Sequence, residues 1–214
     1  MRVSQHVACQ GFPCPDVDHG GYLVPRVAVQ PEAISIFMLA EAAPADPGDD
    51  FYAGPQALFL ETTLQAFTEA GAKANSVRDL LDRGVYLTTA VKCGKTGYGI
   101  KTNTIETCSQ LLEREIALFP NVRVFLLMGD VAIKALNCIG KRSGAGRIIP
   151  AGATYKLRGA EYFFRGARVL PSYLQAGPSY FIEKSKRRMI AADIATALAL
   201  ARTPPAAPLP TNHR

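Results

Sequence analysis

Apolar and polar positions alternate along this chain in blocks, and the blocks change period. "ISIFMLAE" (34–41) is a continuous apolar run closed by an acid, the pattern of a buried strand. A Pro/Gly/Asp loop follows over 42–55. "QALFLETTLQAFTEAGA" (56–72) then carries apolar residues at helical spacing and ends near Gly71. "GVYLTTAVKC" (84–93) is rich in β-formers. "TIETCSQLLEREIALF" (104–119) reads as a helix, capped by Thr104 or by Asn103 with Glu106, and stopped at Pro120.

The second half repeats the alternation. "VRVFLLMG" (122–129) is a core strand, and "DVAIKALNCIG" (130–140) is a helix closed by Gly140. Residues 141–152 form a basic glycine loop. Residues 154–173 read as a hairpin leading into a last strand, and 178–201 as a long helix. Strands alternating with helices predict a largely parallel sheet covered on both faces. Ligands on such sheets bind beyond the carboxyl ends of the strands, here the loops after Glu41, Val91, Gly129 and Pro171. A single domain is expected over 1–201. Residues 1–31 form a loop-like N-terminal region and 202–214 a disordered Pro-rich tail.

Composition narrows the function classes. Of 214 residues, 48% are hydrophobic and 20% charged, which supports a packed core. Net charge is +6 with a pI near 9.1, which favours an anionic partner such as nucleic acid. "MRVSQHVACQGFPC" has no apolar h-region, and the longest apolar stretches, such as 33–45, are too short for a membrane helix. A cytoplasmic, monomeric protein is expected, with its 5 cysteines as thiols or metal ligands. Cys9 and Cys14 form C-x4-C, and 14 residues separate Cys93 from Cys108. All four sit in or beside polar loops. Two pairs of thiols suit a tetrahedral sulfur site holding zinc or a [4Fe–4S] cluster, and spacing does not choose between them. Cys138, between Asn137 and Ile139 on an apolar helix, reads as packing.

Several segments together resemble the uracil-DNA glycosylase superfamily, in particular its iron–sulfur (family 4) branch. "FMLAEAAPADPGDDFYAGP" resembles that branch's G-E-x-P-G followed by P-F-x-G. "VYLTTAVKC" resembles Y-I-T-N-x-V-K-C, and Cys108 matches the cysteine opening the next helix. "VRVFLLMGDVAIKALN" resembles its strand and G-x-x-A-x-x-x-L helix. "LRGAEYFFRGARVLPSYLQAG" resembles R-G-x-x-x-x-x-G-x-x-V-x-P-x-x-H-P-A. The order is collinear from Cys9 to about Leu198.

The resemblance implies a three-layer α/β/α sandwich around a four-stranded, mainly parallel sheet. It implies a [4Fe–4S] cluster on Cys9, Cys14, Cys93 and Cys108. It also implies DNA as partner and hydrolysis of the N-glycosidic bond of a flipped-out, deaminated base, uracil or a related one. Glu41 matches the acid that orients water, and Tyr52 the aromatic that stacks on the base. Thr89 stands where the family reads the base with Asn; a hydroxyl lacks the paired donor and acceptor of an amide. Leu174 and Gln175 stand in place of the His-Pro whose imidazole stabilises the leaving anion, with Tyr173 and Gln175 as substitute donors in the same loop. These departures leave a catalytically impaired DNA- or nucleotide-binding protein as the alternative. Lys95, Lys101, Lys141, Arg142 and Arg147 are the expected phosphate contacts. The cations at 184–188 read mainly as a solvated helix face.

Overall fold

The computed structural model describes residues 1–202. Apart from Arg202 at the end of the last helix, the Pro-rich segment expected to be disordered lies outside the described residues. Six strands form one sheet: β1 (Val17–Asp18), β2 (Ile36–Ala43), β3 (Val85–Lys95), β4 (Val124–Met128), β5 (Tyr162–Phe164) and β6 (Ala167–Ser172), in the order β1-β3-β2-β4-β6-β5. The inner four are parallel. The expected four-stranded sheet is therefore extended by β1 and β5, two short antiparallel edges. β5 and β6 form the hairpin read within 154–173, while β1, with two residues, carries too few positions for a period to register. Residues 1–31 carry β1, three single 3-10 turns, the last running on to Ala33, and an isolated antiparallel bridge between Arg2 and Ala28.

Among the described residues there are six α-helices: α1 (Leu58–Glu69), α2 (Val77–Asp82), α3 (Thr102–Ile116), α4 (Asp130–Arg142), α5 (Thr154–Leu157) and α6 (Lys184–Arg202). Alternate β2 residues face opposite layers. Phe37 and Leu39 join the core with Leu112 of α3 and Leu136 of α4. Ile36, Met38 and Ala40 join the core with Ala66 of α1 and Ile190 of α6. This is the three-layer sandwich. No helix of the described residues is long and apolar enough to cross a membrane.

The chain runs from β2 out to β3, then crosses back to β4 on the other side of β2. The strand order therefore reverses between β2 and β4, and the crevice at their carboxyl ends is the switch point where such sheets bind ligands. Glu41 on β2 and Gly129 after β4 meet there.

Candidate active site

Glu41 lies inside the end of β2, not in the loop beyond it. Its parity puts it on the Phe37–Leu39 face, toward α4. Its Oε1 accepts the main-chain N–H of Val131, in the first turn of α4, at 3.3 Å. The positive end of the α4 dipole thus faces the carboxylate. Two cavities flank Glu41 and share it with Leu174 and Ser179. One, about 350 Å³, is lined by Gly129, Ser172, Tyr173 and Lys186. The other is a wider cleft of about 680 Å³ between the 42–46 loop, Phe59 at the start of α1, the 95–98 loop and the segment 176–179. These are the loops that the parallel-sheet argument singles out.

The wall between the cavities is anchored from below. Ser172 donates to Asp193, which Arg158 grips through Nε and Nη2 at 2.8 Å each. A second brace joins the end of α1 to the start of α6. Tyr180 donates to Glu69 at 3.0 Å, and Arg187 pairs with the same carboxylate. Burial and the Glu69 contact push the Tyr180 phenol up to about 12.

Leu174 and Tyr173 are half-buried and line the site, with Lys186 Nζ 5.4 Å from the Tyr173 ring centre. Other expected residues sit elsewhere. Gln175 is fully buried, and its amide donates to Thr63 Oγ1 at 3.3 Å, so it is not a donor on the cleft surface. Thr89 is buried and lines neither cavity; its carbonyl accepts from Lys92 Nζ at 2.7 Å. Tyr52 docks on the outer edge of β3, where its hydroxyl donates to the Leu87 carbonyl at 2.8 Å and accepts the Leu87 N–H at 3.2 Å. It lines neither cavity. The aromatics that line the wider cleft are Phe59, which reads in sequence as an ordinary apolar position of α1, and Tyr98 of the 95–98 loop.

The cations divide. Lys95 lines the cleft, and Lys101 is exposed at the start of α3, at the same end of the sheet. Lys141 and Arg142 lie in the last turn of α4, not in a loop. At 1.5 Å per residue, that turn is roughly 16 Å along the helix from the Glu41 end. Arg142 is also committed to α3, donating to Ser109 Oγ at 2.7 Å and to Glu113 at 3.0 Å. Arg147 is exposed in the loop beyond. These three, expected as phosphate contacts, are off the rim of the cleft. α4 runs past Gly140, where the 146–148 segment packs directly on the helix: a Cβ there would lie 2.6 Å from the Gly146 carbonyl oxygen, so the glycine serves close packing and does not end the helix.

Cys9, Cys14, Cys93 and Cys108 line one cavity of about 220 Å³ beside Phe12 and Tyr22. Burial, then the neighbouring thiols of Cys108, Cys9 and Cys14, push Cys93 up to about 12. Among the described residues, no three His, Cys, Asp or Glu side chains converge closely enough to hold a single metal ion. Cys138 is half-buried on α4, apart from this group. Behind the cysteines, Lys92 and Glu115 form a fully buried ion pair between β3 and α3. Tyr86 and Thr88 donate to the same carboxylate at 2.7 and 2.9 Å, and Lys92 donates to Thr88 Oγ1 at 2.7 Å. Sequence reading treats Lys92 only as part of a motif; a lysine inside a run of β-formers was the available signal.

Comparison with known proteins agrees with this architecture. The model of the uracil DNA glycosylase superfamily matches residues 42–195. That span contains Thr89, Cys93, Cys108 and Leu174, while Glu41, Cys9 and Cys14 precede it. A type-5 uracil-DNA glycosylase of Thermus thermophilus is 33% identical over 155 residues, 69% of each chain. That relative is named as type 5, whereas the motifs above resemble family 4. The chain belongs to the uracil-DNA glycosylase superfamily.

Proposed function

We propose that this protein is a DNA glycosylase that hydrolyses the N-glycosidic bond of a flipped-out deaminated base, uracil or a related one. The observation that carries the reading is Glu41, fixed at the sheet's switch point in the wall shared by two cavities. Hydrolysis adds water across the bond: oxygen goes to C1′ of the sugar and a proton ends on the base nitrogen. Glu41 orients that water and offsets positive charge developing on the sugar. Phe59 and Leu174 offer apolar walls to the extruded ring, and Lys95 a cation to flanking phosphate.

A [4Fe–4S] cluster held by Cys9, Cys14, Cys93 and Cys108 belongs to this reading. Four thiols spread around a cavity, rather than gathered at a point, suit a polynuclear cluster better than one zinc ion. Its chemistry there is to tie the N-terminal segment to β3 and α3.

A second reading has its own observation. Leu174 has no donor, Gln175 turns inward to Thr63, and Thr89 is buried. A departing base anion thus meets none of the side-chain donors expected at these positions, which favours a binding protein with impaired catalysis. The deciding experiment uses single- and double-stranded oligonucleotides carrying uracil, hypoxanthine or xanthine, with alkaline strand scission after incubation. Excision by the wild type and none by Glu41→Gln supports the glycosylase. Salt-sensitive binding with no scission supports the second reading. Equal excision by Glu41→Gln removes Glu41 from the mechanism.

A further inference from the structure

A chain of polar contacts runs through the sheet and ends at Glu41. Arg158 follows α5 and closes a fork on Asp193 of α6, with Nε and Nη2 each donating at 2.8 Å. Nη2 also donates to the Met189 carbonyl at 2.9 Å, one turn earlier on α6. Both side chains of the pair are largely buried, at 18% and 11% exposure. The Asp193 carboxylate also accepts the hydroxyl of Ser172, which is fully buried at the end of β6. The Ser172 carbonyl accepts the Gly129 N–H at 3.0 Å, continuing the β4–β6 ladder by one bond. Gly129 abuts the Glu41 carboxylate, and the Val131 N–H donates to it. The contacts thus start in the layer of α6, cross the carboxyl ends of β6 and β4, and end at the carboxylate that faces α4.

From this connection we infer that Arg158, Asp193 and Ser172 are positioning residues for Glu41: the fork fixes the end of β6, and that end fixes the turn that holds the carboxylate. The inference rests on the reading of Glu41 as the group that orients water. A buried Arg–Asp pair often adds little net stability over apolar residues of similar volume, so its worth here lies in geometry. Forked, charge-assisted bonds set distance and angle together, which a point charge on a flexible stem does not. The end of β6 needs that constraint, because the chain leaves the sheet there into the segment whose Leu174 lines both cavities. Without it, the Ser172 carbonyl and the Gly129 turn shift together and carry Glu41 with them. A displacement of about 1 Å at a reacting group costs roughly 100-fold in rate.

The test uses the full chain with two variants. Ser172→Ala removes the hydroxyl and keeps the carbonyl; Arg158→Lys keeps the charge and loses the fork. Amide hydrogen exchange is followed by NMR at Gly129 and Val131, and single-turnover excision is measured beside affinity for the same oligonucleotide. Ser172→Ala should speed exchange at both amides by about tenfold and leave the amides of β2 and β3 unchanged. It should slow excision by roughly 10- to 100-fold while affinity stays within about twofold. Arg158→Lys should move both readouts in the same direction by a smaller factor. Exchange at Gly129 and Val131 equal to wild type in both variants overturns the inference. So does faster exchange with unchanged excision, since the turn would then loosen without displacing Glu41. Faster exchange across the whole sheet together with weaker DNA binding marks a merely structural role and also overturns it. A wild type that excises no deaminated base overturns the reading of Glu41, and this inference with it, whatever the exchange shows.

Discussion

Gly129 and Glu41 are interlocked: a Cβ added at Gly129 would lie 2.5 Å from Oε1 of Glu41. Gly129 also has φ 102° and ψ 168°, a conformation that essentially only glycine adopts. The turn from β4 into α4 thus leaves room for the carboxylate and aims the Val131 N–H at it. Gly129→Ala should cost about 1–3 kcal/mol of stability. It should also cut excision by roughly 100-fold with little change in DNA affinity, because it moves the carboxylate and not the binding surface. Urea denaturation and single-turnover kinetics check the two parts; an unchanged rate would show that Glu41 tolerates displacement.

The cysteine cavity yields a separate expectation. Protein purified without oxygen should carry iron and acid-labile sulfide in equal amounts. Serine at Cys9, Cys14, Cys93 or Cys108 should lower both, and Cys138→Ser should change neither. Stoichiometric zinc without sulfide would select the single-ion alternative.

Lys92 and Glu115 tie together the strand and helix that carry Cys93 and Cys108. Breaking a buried pair leaves one charge uncompensated, so Lys92→Met should destabilise by about 3–5 kcal/mol. Adding Glu115→Gln should restore most of that loss, because the amide oxygen still accepts from Tyr86 and Thr88 while the stranded charge is gone. Denaturant midpoints of the wild type and both variants measure this. A double variant less stable than the single would mean that the charge itself is needed.

Where the sequence was legible, and where it was not, follows from the same physics. β2, β3 and β4 are buried runs bounded by turn residues, so their presence and order could be read directly. So could the clefts, because a parallel sheet fixes which loops share an end. Surroundings that come from distant elements were not legible. Arg142 reads as a loop cation until α4 is seen to continue past Gly140 and lie against Ser109. Tyr52 reads as a base platform, and the bond from its hydroxyl to the open edge of β3 could not be read from the sequence. Gln175 reads as a donor until Thr63 of α1 turns it inward. The cysteines and Glu41, picked out by motif position, line cavities, but motif position carries no information on which way a neighbouring side chain points.

Glu69 gives a pH signature. Burial raises its carboxyl, but hydrogen bonds from Arg187, Gln65 and Tyr180 outweigh that and hold it below its ordinary 4.5. A carboxyl whose folded value lies below the unfolded one adds stability above the unfolded value and loses it as pH falls through the folded one. The stability difference between wild type and Glu69→Gln should therefore be constant above about pH 5 and shrink as pH falls below it. Thermal melts of both proteins across that range check the sign. A difference that grows on acidification would show that Glu69 is not held as a carboxylate by Arg187.

Leu174 tests whether the cleft still accepts the chemistry that its family position implies. The side chain is half-buried, lines both cavities with Glu41, and makes no polar contact that a substitution would break. Thr89 is different: it is buried in β3, and enlarging it disturbs packing before it reaches a ligand. Leu174→His is thus the informative single change. It places a donor where a departing base anion is exposed, a position where removing one preorganised donor typically costs about 100- to 1000-fold. If the scaffold is otherwise competent, uracil excision should rise by roughly 10- to 100-fold, less than the full term because no second group orients the imidazole. The gain should vary with pH between about 5 and 8, because an imidazolium stabilises a departing anion more strongly than a neutral imidazole. It should vanish in Leu174→His combined with Glu41→Gln, since a better leaving group still requires an oriented water. A rise that survives loss of Glu41 would assign the water to another residue. No rise at all would mean that the inward turn of Gln175 has moved this segment away from the base.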